Sequence, residues 1–183
     1  MVLRVAAAPK GHSSSSREKS APAGRPLNGA LKIISGGQTG ADRAALDVAI
    51  KLKIPCGGWC PADRRAEDGA IADRYPLTPL PSAGYRQRTR QNVIDSDGTV
   101  ILAFGKLTGG SRTTAGFARQ FHKPLLVIDA NVTPPRDAAI LIAVFLLRHR
   151  IHILNIAGPR ASGQPGIYAF VWDVLCMLLS KPK

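Results

Sequence analysis

Apolar positions along this chain recur with two alternating periods. LKIIS (31–35) is a short run of strand type, and ADRAALDVAIKLK (41–53) sets Ala44, Ala45, Val48, Ala49 and Leu52 on one helical face. The change of period predicts a β-α unit. IPCGGW (54–59) reads as a second short strand, PADRRAEDG as a polar loop, and YPLTPLP (75–81) as a proline-rich connection. Ser82 can cap a helix through GYRQRTRQNVI, which stops near DSDG. TVILAF (99–104) and PLLVID (124–129) are continuously apolar, as strands buried on both faces are. Between them GKLTGGS reads as a loop and TTAGFARQF as a helix. A long apolar helix over 136–149, a strand at IHILNIAG (151–158), the loop GPRASGQPG and a closing helix IYAFVWDVLCMLLS complete the pattern. Strands alternating with helices predict an α/β fold, a Rossmann-like, doubly wound and mainly parallel sheet with helices on both faces.

The glycines fall where that architecture places ligands. Crossovers between parallel strands are right-handed, so the loops leaving the carboxyl ends of the strands gather on one edge of the sheet. Three glycine-rich loops converge there. SGGQTG (35–40) supplies Gly36, Gly37, Gln38, Thr39 and Gly40, and GKLTGGSRTT (105–114) supplies Gly109, Gly110, Ser111, Thr113 and Thr114. AGPRASGQPG (157–166) adds Gly158, Arg160 and Ser162. Each leads into a helix N-terminus, where backbone N–H groups and the helix dipole favour anions and glycine lets the backbone approach a phosphate. No GK[ST] ends the first loop and it is not GxGxxG, so a Walker-type ATPase is not expected. The pattern points to a small phosphate-bearing ligand.

With 183 residues, 45% of them hydrophobic, the chain is sized for one core. Residues 1–30 lack apolar periodicity and read as a disordered basic tail, with residues 31–183 as one ligand-binding domain. The tail holds Arg4, Lys10, Arg17, Lys19 and Arg25 against Glu18 alone, and its Arg/Ser-rich character loosely resembles an organelle transit peptide. A cytoplasmic location is the expectation. The longest apolar run, Ala138 to Leu147, is ten residues where a bilayer span needs about 20, so it suits a buried or interface helix, and a homo-oligomer stays open.

The formal charge of +13 raises nucleic acid as a partner, but no aromatic platform interleaves with the basic residues, so that attraction reads as non-specific. Cys56, Cys60 and Cys176 form no CxxC or other zinc spacing and the four histidines no paired-ligand pattern, so no protein-bound metal is expected.

The stretches SGGQTGADRAALDVA, GGWCPADRRAEDGAI, YRQRTRQNVIDSDGTVIL, GGSRTT, KPLLVID and LNIAGPRASGQPGIY follow one another over roughly residues 31–180. Together they resemble the family named "putative molybdenum carrier", the circularly permuted YpsA branch of the SLOG superfamily. The resemblance implies a Rossmann-like fold that holds a nucleotide-derived or pterin-phosphate ligand at the glycine loops, with molybdenum cofactor or a nucleotide as the bound group. It departs at Asp63, where the family pattern PxGRxAEDG has glycine before Arg64. The nucleotide phosphoribohydrolases of the same superfamily carry PGGxGTxxE, and the aligned TGGSRTTAG (108–116) has Gly116 in place of their catalytic glutamate.

Any hydrolysis would need another carboxylate. Asp42 and Glu67 are the candidates, for general-base work or for contact with a ligand hydroxyl. Asp42 alternatively complements a helix N-terminus, Glu67 and Asp68 can pair with Arg64 or Arg65, and Asp95 and Asp97 read as turn residues. Arg43, Arg64, Arg88, Arg112 and Arg160 stand in or beside the family motifs, where a guanidinium can hold a phosphate through two bonds. Arg86, Arg88 and Arg90 cannot share one helical face, and the resemblance selects Arg88. Three functions follow in order: a carrier of a phosphate-bearing ligand, a nucleotide-processing hydrolase, and a nucleic-acid binder.

Overall fold

In the computed structural model, residues 31–180 are described; the expected tail at 1–30 lies outside them. The elements are β1 (Lys32–Ile34), α1 (Ala41–Lys51), β2 (Cys56–Gly57), β3 (Trp59–Cys60), β4 (Arg65–Ala66), β5 (Gly69–Ala70), β6 (Thr78–Pro79) and α2 (Tyr85–Ile94). They continue with β7 (Gly98–Ala103), α3 (Gly109–Gln120), β8 (Leu125–Asp129), α4 (Pro135–His149), β9 (Ile153–Ala157) and α5 (Ile167–Leu179).

Five strands form one parallel sheet in the order β2-β1-β9-β7-β8. The apolar run of β7 is buried at every residue, as its composition requires of a strand covered on both faces. Successive side chains point to opposite faces, and the core divides accordingly. Val100, Leu102, Leu154 and Ile156 meet Ala45, Val48, Ile142, Phe145, Val171 and Leu175, which places α1, α5 and α4 on one face. Val93, Phe117 and Ala118 join α2 to α3, with Leu125 of β8 against them, on the other. The Rossmann-like fold expected from the sequence is therefore present, with its sheet wholly parallel.

The departures lie between β1 and the start of α2, with one more at the start of α3. IPCGGW is not one strand: Gly58 breaks it at φ 127°, and a Cβ there would lie 2.2 Å from the Ser35 carbonyl oxygen. β2 stays with the main sheet, whereas β3 turns away to pair with β6 inside the proline-rich connection. The polar loop contains the β4–β5 hairpin. Helix α2 starts after Gly84, and Ser82 makes no cap; it sits at φ 55°, outside the extended conformation of an N-cap residue. Helix α3 starts four residues before the TTAGFARQF run, so that Gly109, Gly110 and Ser111 form its first turn. The Thr113 and Thr114 hydroxyls donate back to the Gly109 and Gly110 carbonyls and hold that turn closed.

Two polar anchors fix this irregular region. Asn92 of α2 accepts from the Trp59 N–H at 2.8 Å and donates to the Trp59 carbonyl at 3.0 Å, as a neighbouring strand would. Asp47 of α1 accepts from the hydroxyls of Tyr75 at 2.8 Å and Tyr168 at 2.9 Å, tying the 71–77 connection and α5 to α1. Burial, and then the bond to Asp47, push the Tyr168 hydroxyl up to about 12. A phenol with a raised folded-state pKa lends stability that is complete below the unfolded value near 10 and is lost as pH rises through about 12. Tyr168→Phe should therefore remove the most alkaline tyrosinate transition from an ultraviolet pH titration and cost about 0.5–1.5 kcal/mol in urea unfolding at neutral pH. Loss of a transition near the ordinary value of 10 instead would refute the Asp47 contact.

Candidate functional site

The loops after β1, β7 and β9 meet around a cleft of about 480 Å³, within the range of small-ligand sites. The way they meet explains the glycines. A Cβ on Gly40 would lie 2.5 Å from the Pro159 carbonyl oxygen and 2.8 Å from the Ala161 nitrogen. One on Gly158 would lie 2.5 Å from the Leu102 carbonyl oxygen. These residues let the loops touch one another. Gly37, at φ 76°, packs under Leu77 and Ile71. Gly109 and Gly110 differ: both line the cleft, and added Cβ atoms would find nothing within 4 Å. At the start of α3 the loop glycines leave backbone open to a ligand.

Asp42 and Arg88 lie together in the cleft wall. Arg88 Nη1 donates to Asp42 Oδ2 at 3.1 Å, with side-chain exposures of 12% and 6%. The guanidinium lies across Gly36 so closely that a Cβ there would fall 1.3 Å from Nη1. Burial pushes the Asp42 carboxyl above its ordinary value, against the opposing pull of Arg88. Arg88 Nε is buried with no hydrogen-bond partner, an unused donor beside the cleft.

Glu67 serves as a latch. Its carboxylate accepts from the Thr39 and Ser162 hydroxyls and from the Ser162 N–H at 3.1 Å, with Arg160 Nε at 3.4 Å. Burial pushes this carboxyl up, but the bonds from Ser162 and Thr39 and the Arg160 charge outweigh it and hold it below its ordinary value. Gln38 Oε1 accepts from the N–H groups of Thr39 and Glu67, joining the first loop to the hairpin. Asp129 plays a similar part at the second loop: bonds from the Gly105 and Asn131 N–H groups lower its pKa and fix the loop's exit.

Among the residues expected at a site, Gln38, Asp42, Glu67, Arg88 and Arg160 line the cleft with Gly109, Gly110, Ser111, Thr113, Thr114 and Gly158. Gly36, Gly37, Thr39 and Gly40 support it from behind and are absent from its lining. Arg43 bonds the Gly37 carbonyl and Asp68, with its guanidinium 5.1 Å from the Tyr75 ring centre. Arg64 donates to the carbonyls of Ile71, Ala72, Tyr75 and Leu77, so its fork closes that loop. The loop accommodates Asp63 because its carboxylate accepts from the Arg65 N–H, an Asx turn, and Arg64 itself takes the positive φ of 51°. Asp95 caps Trp59 Nε1, and Asp97 accepts from His152 and Ile153. Arg112 is exposed outside the cleft.

Tyr85, Arg86, Thr89, Thr108, Gly163 and Gln164 also line the cleft; all lie in stretches the sequence marks out, but none was singled out as a site residue. Gln164 pairs both ways with the Phe104 backbone, at 2.7 and 2.8 Å, a contact across sixty residues that no local motif announces. Burial pushes the Cys56 and Cys60 thiols up, keeping them protonated and weakly nucleophilic. Among the described residues no cluster of three or more His, Cys, Asp or Glu could hold a metal ion.

The buried pair yields a test. Arg88→Ala leaves Asp42 without its countercharge and should cost about 3–5 kcal/mol, whereas Asp42→Asn with Arg88→Ala should cost less than the separate losses combined. The folded protein takes up a proton at Asp42 more readily than the unfolded chain does. In Arg88→Ala, stability should therefore fall as pH rises from the ordinary carboxylate value of 3.8 through the raised one, a slope that the double variant lacks. Urea unfolding at several pH values measures both, and additive losses would exclude the coupling.

The family model described as circularly permutated YpsA SLOG matches residues 33–179. A crystal structure at 1.45 Å resolution of a protein from Syntrophus aciditrophicus SB, named "putative molybdenum carrier protein", is 51% identical, with a TM-score of 0.81. The match covers 83% of this chain and 96% of that one. No curated protein matches. No helix among the described residues is long and apolar enough to cross a membrane. With the fold, the loop geometry and the family match in agreement, the chain belongs to the circularly permuted YpsA family of SLOG proteins.

Proposed function

We propose that this protein binds a small phosphate-bearing ligand, a nucleotide or a molybdopterin-type molecule, in the cleft and returns it unchanged. The observation that carries this reading is the start of α3. Gly109 and Gly110 offer open backbone at a helix N-terminus, with no side-chain cap to compete for the N–H groups. Ser111 and Thr113 stand beside them in the lining, and Arg86 and Arg160 line the same space. The printed name of the Syntrophus protein supports molybdenum-related cargo. Gly116 supports a carrier over a hydrolase of the superfamily's usual kind, because it is exposed on α3 and outside the cleft lining. A cytoplasmic setting belongs to the same reading and is supported by three free thiols, Cys56, Cys60 and Cys176.

One observation favours a second reading, nucleotide hydrolysis. Asp42 is a cleft carboxylate whose raised pKa brings it nearer to the working range of a general base. Glu67 is less suited, since its oxygens are occupied by the loops that it joins.

Gly110→Val should keep wild-type stability, because its added carbons enter open space, while weakening binding of a nucleoside monophosphate by calorimetry roughly tenfold or more. Unchanged affinity would remove α3 from the site. Ligand found by native mass spectrometry of the purified protein should remain chemically intact on long incubation. Turnover that falls roughly 10²-fold or more in Asp42→Asn, with binding retained, would replace the carrier by the hydrolase.

A further inference from the structure

Helix α4 is apolar all round, although only one of its sides meets the rest of the domain. Ala138, Ala139, Ile142 and Phe145 are buried against the sheet and α5. On the opposite side Ile140 is 54%, Leu141 46%, Val144 56% and Leu147 77% exposed. At 100° per residue these four occupy one continuous outward stripe, and no charged residue interrupts the run from Ala138 to Leu147. A surface helix ordinarily sets polar side chains there, and a helix apolar on every side is one that is covered on every side.

We propose that the stripe is the interface of a two-fold dimer, with α4 of one copy lying antiparallel on α4 of a second. The ends of the helix select this occupant. In the first turn Asp137 falls within the stripe and Arg136 just outside its edge, and Arg148, His149 and Arg150 close the helix. An antiparallel pair centred near Ala143 sets Asp137 of each copy level with the basic end of the other, giving two equivalent opposite-charge contacts that flank the apolar centre. A parallel pair would instead stack Arg148 and Arg150 on their own equivalents. A patch that complements itself in this way meets the requirement of an isologous contact. None of the stripe residues lines the cleft, so the dimer leaves both ligand sites open and the inference stands apart from the proposed ligand.

Sedimentation equilibrium of the full chain is the test. The wild type should show a concentration-dependent species of twice the 19.4 kDa chain mass. Val144→Arg and Leu147→Arg should each weaken self-association roughly tenfold or more, with unchanged circular dichroism and thermal unfolding of the monomer. Asp137→Arg should also weaken it, and adding Arg148→Asp should restore it. A wild type that stays monomeric throughout, as when another segment or partner covers the stripe, overturns the proposal. So does a dimer indifferent to both arginine substitutions, and so does a double charge reversal that fails to rescue.

Discussion

The arrangement of the cleft depends on one close contact, the Arg88 guanidinium lying over Gly36 against the Asp42 carboxylate. Any side chain at position 36 would occupy the space of the guanidinium. That contact joins the loop after β1, the first turn of α1 and the middle of α2, three segments that no backbone ladder links. Its energetics are two-sided. Taking both charges out of water is costly, and burial pushes the Asp42 carboxyl up against the attraction of Arg88. The pair is consequently better understood as a positional device than as a source of stability. It holds α2 where Tyr85, Arg86 and Thr89 form one wall of the cleft.

Around that pair the glycines divide into two physical roles. Gly40 lets the first loop touch the backbone of the third, and Gly158 lets the third touch β7 at Leu102 and the Ala41 side chain, so their cost in chain entropy secures these close approaches. Gly109 and Gly110 permit nothing of the kind: Gly109 takes the positive φ of 47° that opens α3, and no protein atom comes near where a side chain would begin at either. Their bareness leaves room for something outside the protein. Glu67 completes the scaffold by joining the hairpin to both of the touching loops, which explains why an acid sits in a basic segment without being free to act on a ligand.

How much of this the sequence disclosed follows from how far each contact reaches. Periodicity reports burial within an element, so β7, β8, α1, α4 and α5 appeared near their true bounds. It says nothing of a chain that leaves the sheet at Gly58, or of a two-residue hairpin that packs Ala66 and Ile71 against Leu46, Tyr75 and Leu77. The α3 boundary was misplaced because a glycine pair opposes helix in isolation, whereas the Thr113 and Thr114 hydroxyls close the turn from within. Arginines were the least legible. Arg64 and Arg88 stand in equally suggestive motifs, yet Arg64 spends its fork on four carbonyls and Arg88 faces the cleft with a donor unused. Only the folded positions of residues 71–77 distinguish them.

The distribution of charge bears on what kind of binding the cleft favours. Its acids are already matched, Asp42 by Arg88 and Glu67 by Arg160, so the proposed anion would meet helix N–H groups and cations without an unpaired carboxylate to repel it. The Asp42–Arg88 pair is shielded from water and fixed, but the cationic rim is wet, with the Arg160 side chain 61% exposed. Exposed charges attract over about a Debye length yet hold weakly once solvent and salt screen them. A rim of this kind speeds the capture of an anionic ligand more than it slows its escape. Affinity would then rest on the backbone of α3 and on shape, both of which a ligand can leave without breaking a buried ion pair. That balance supports the proposed uptake and release of a cargo rather than its permanent retention.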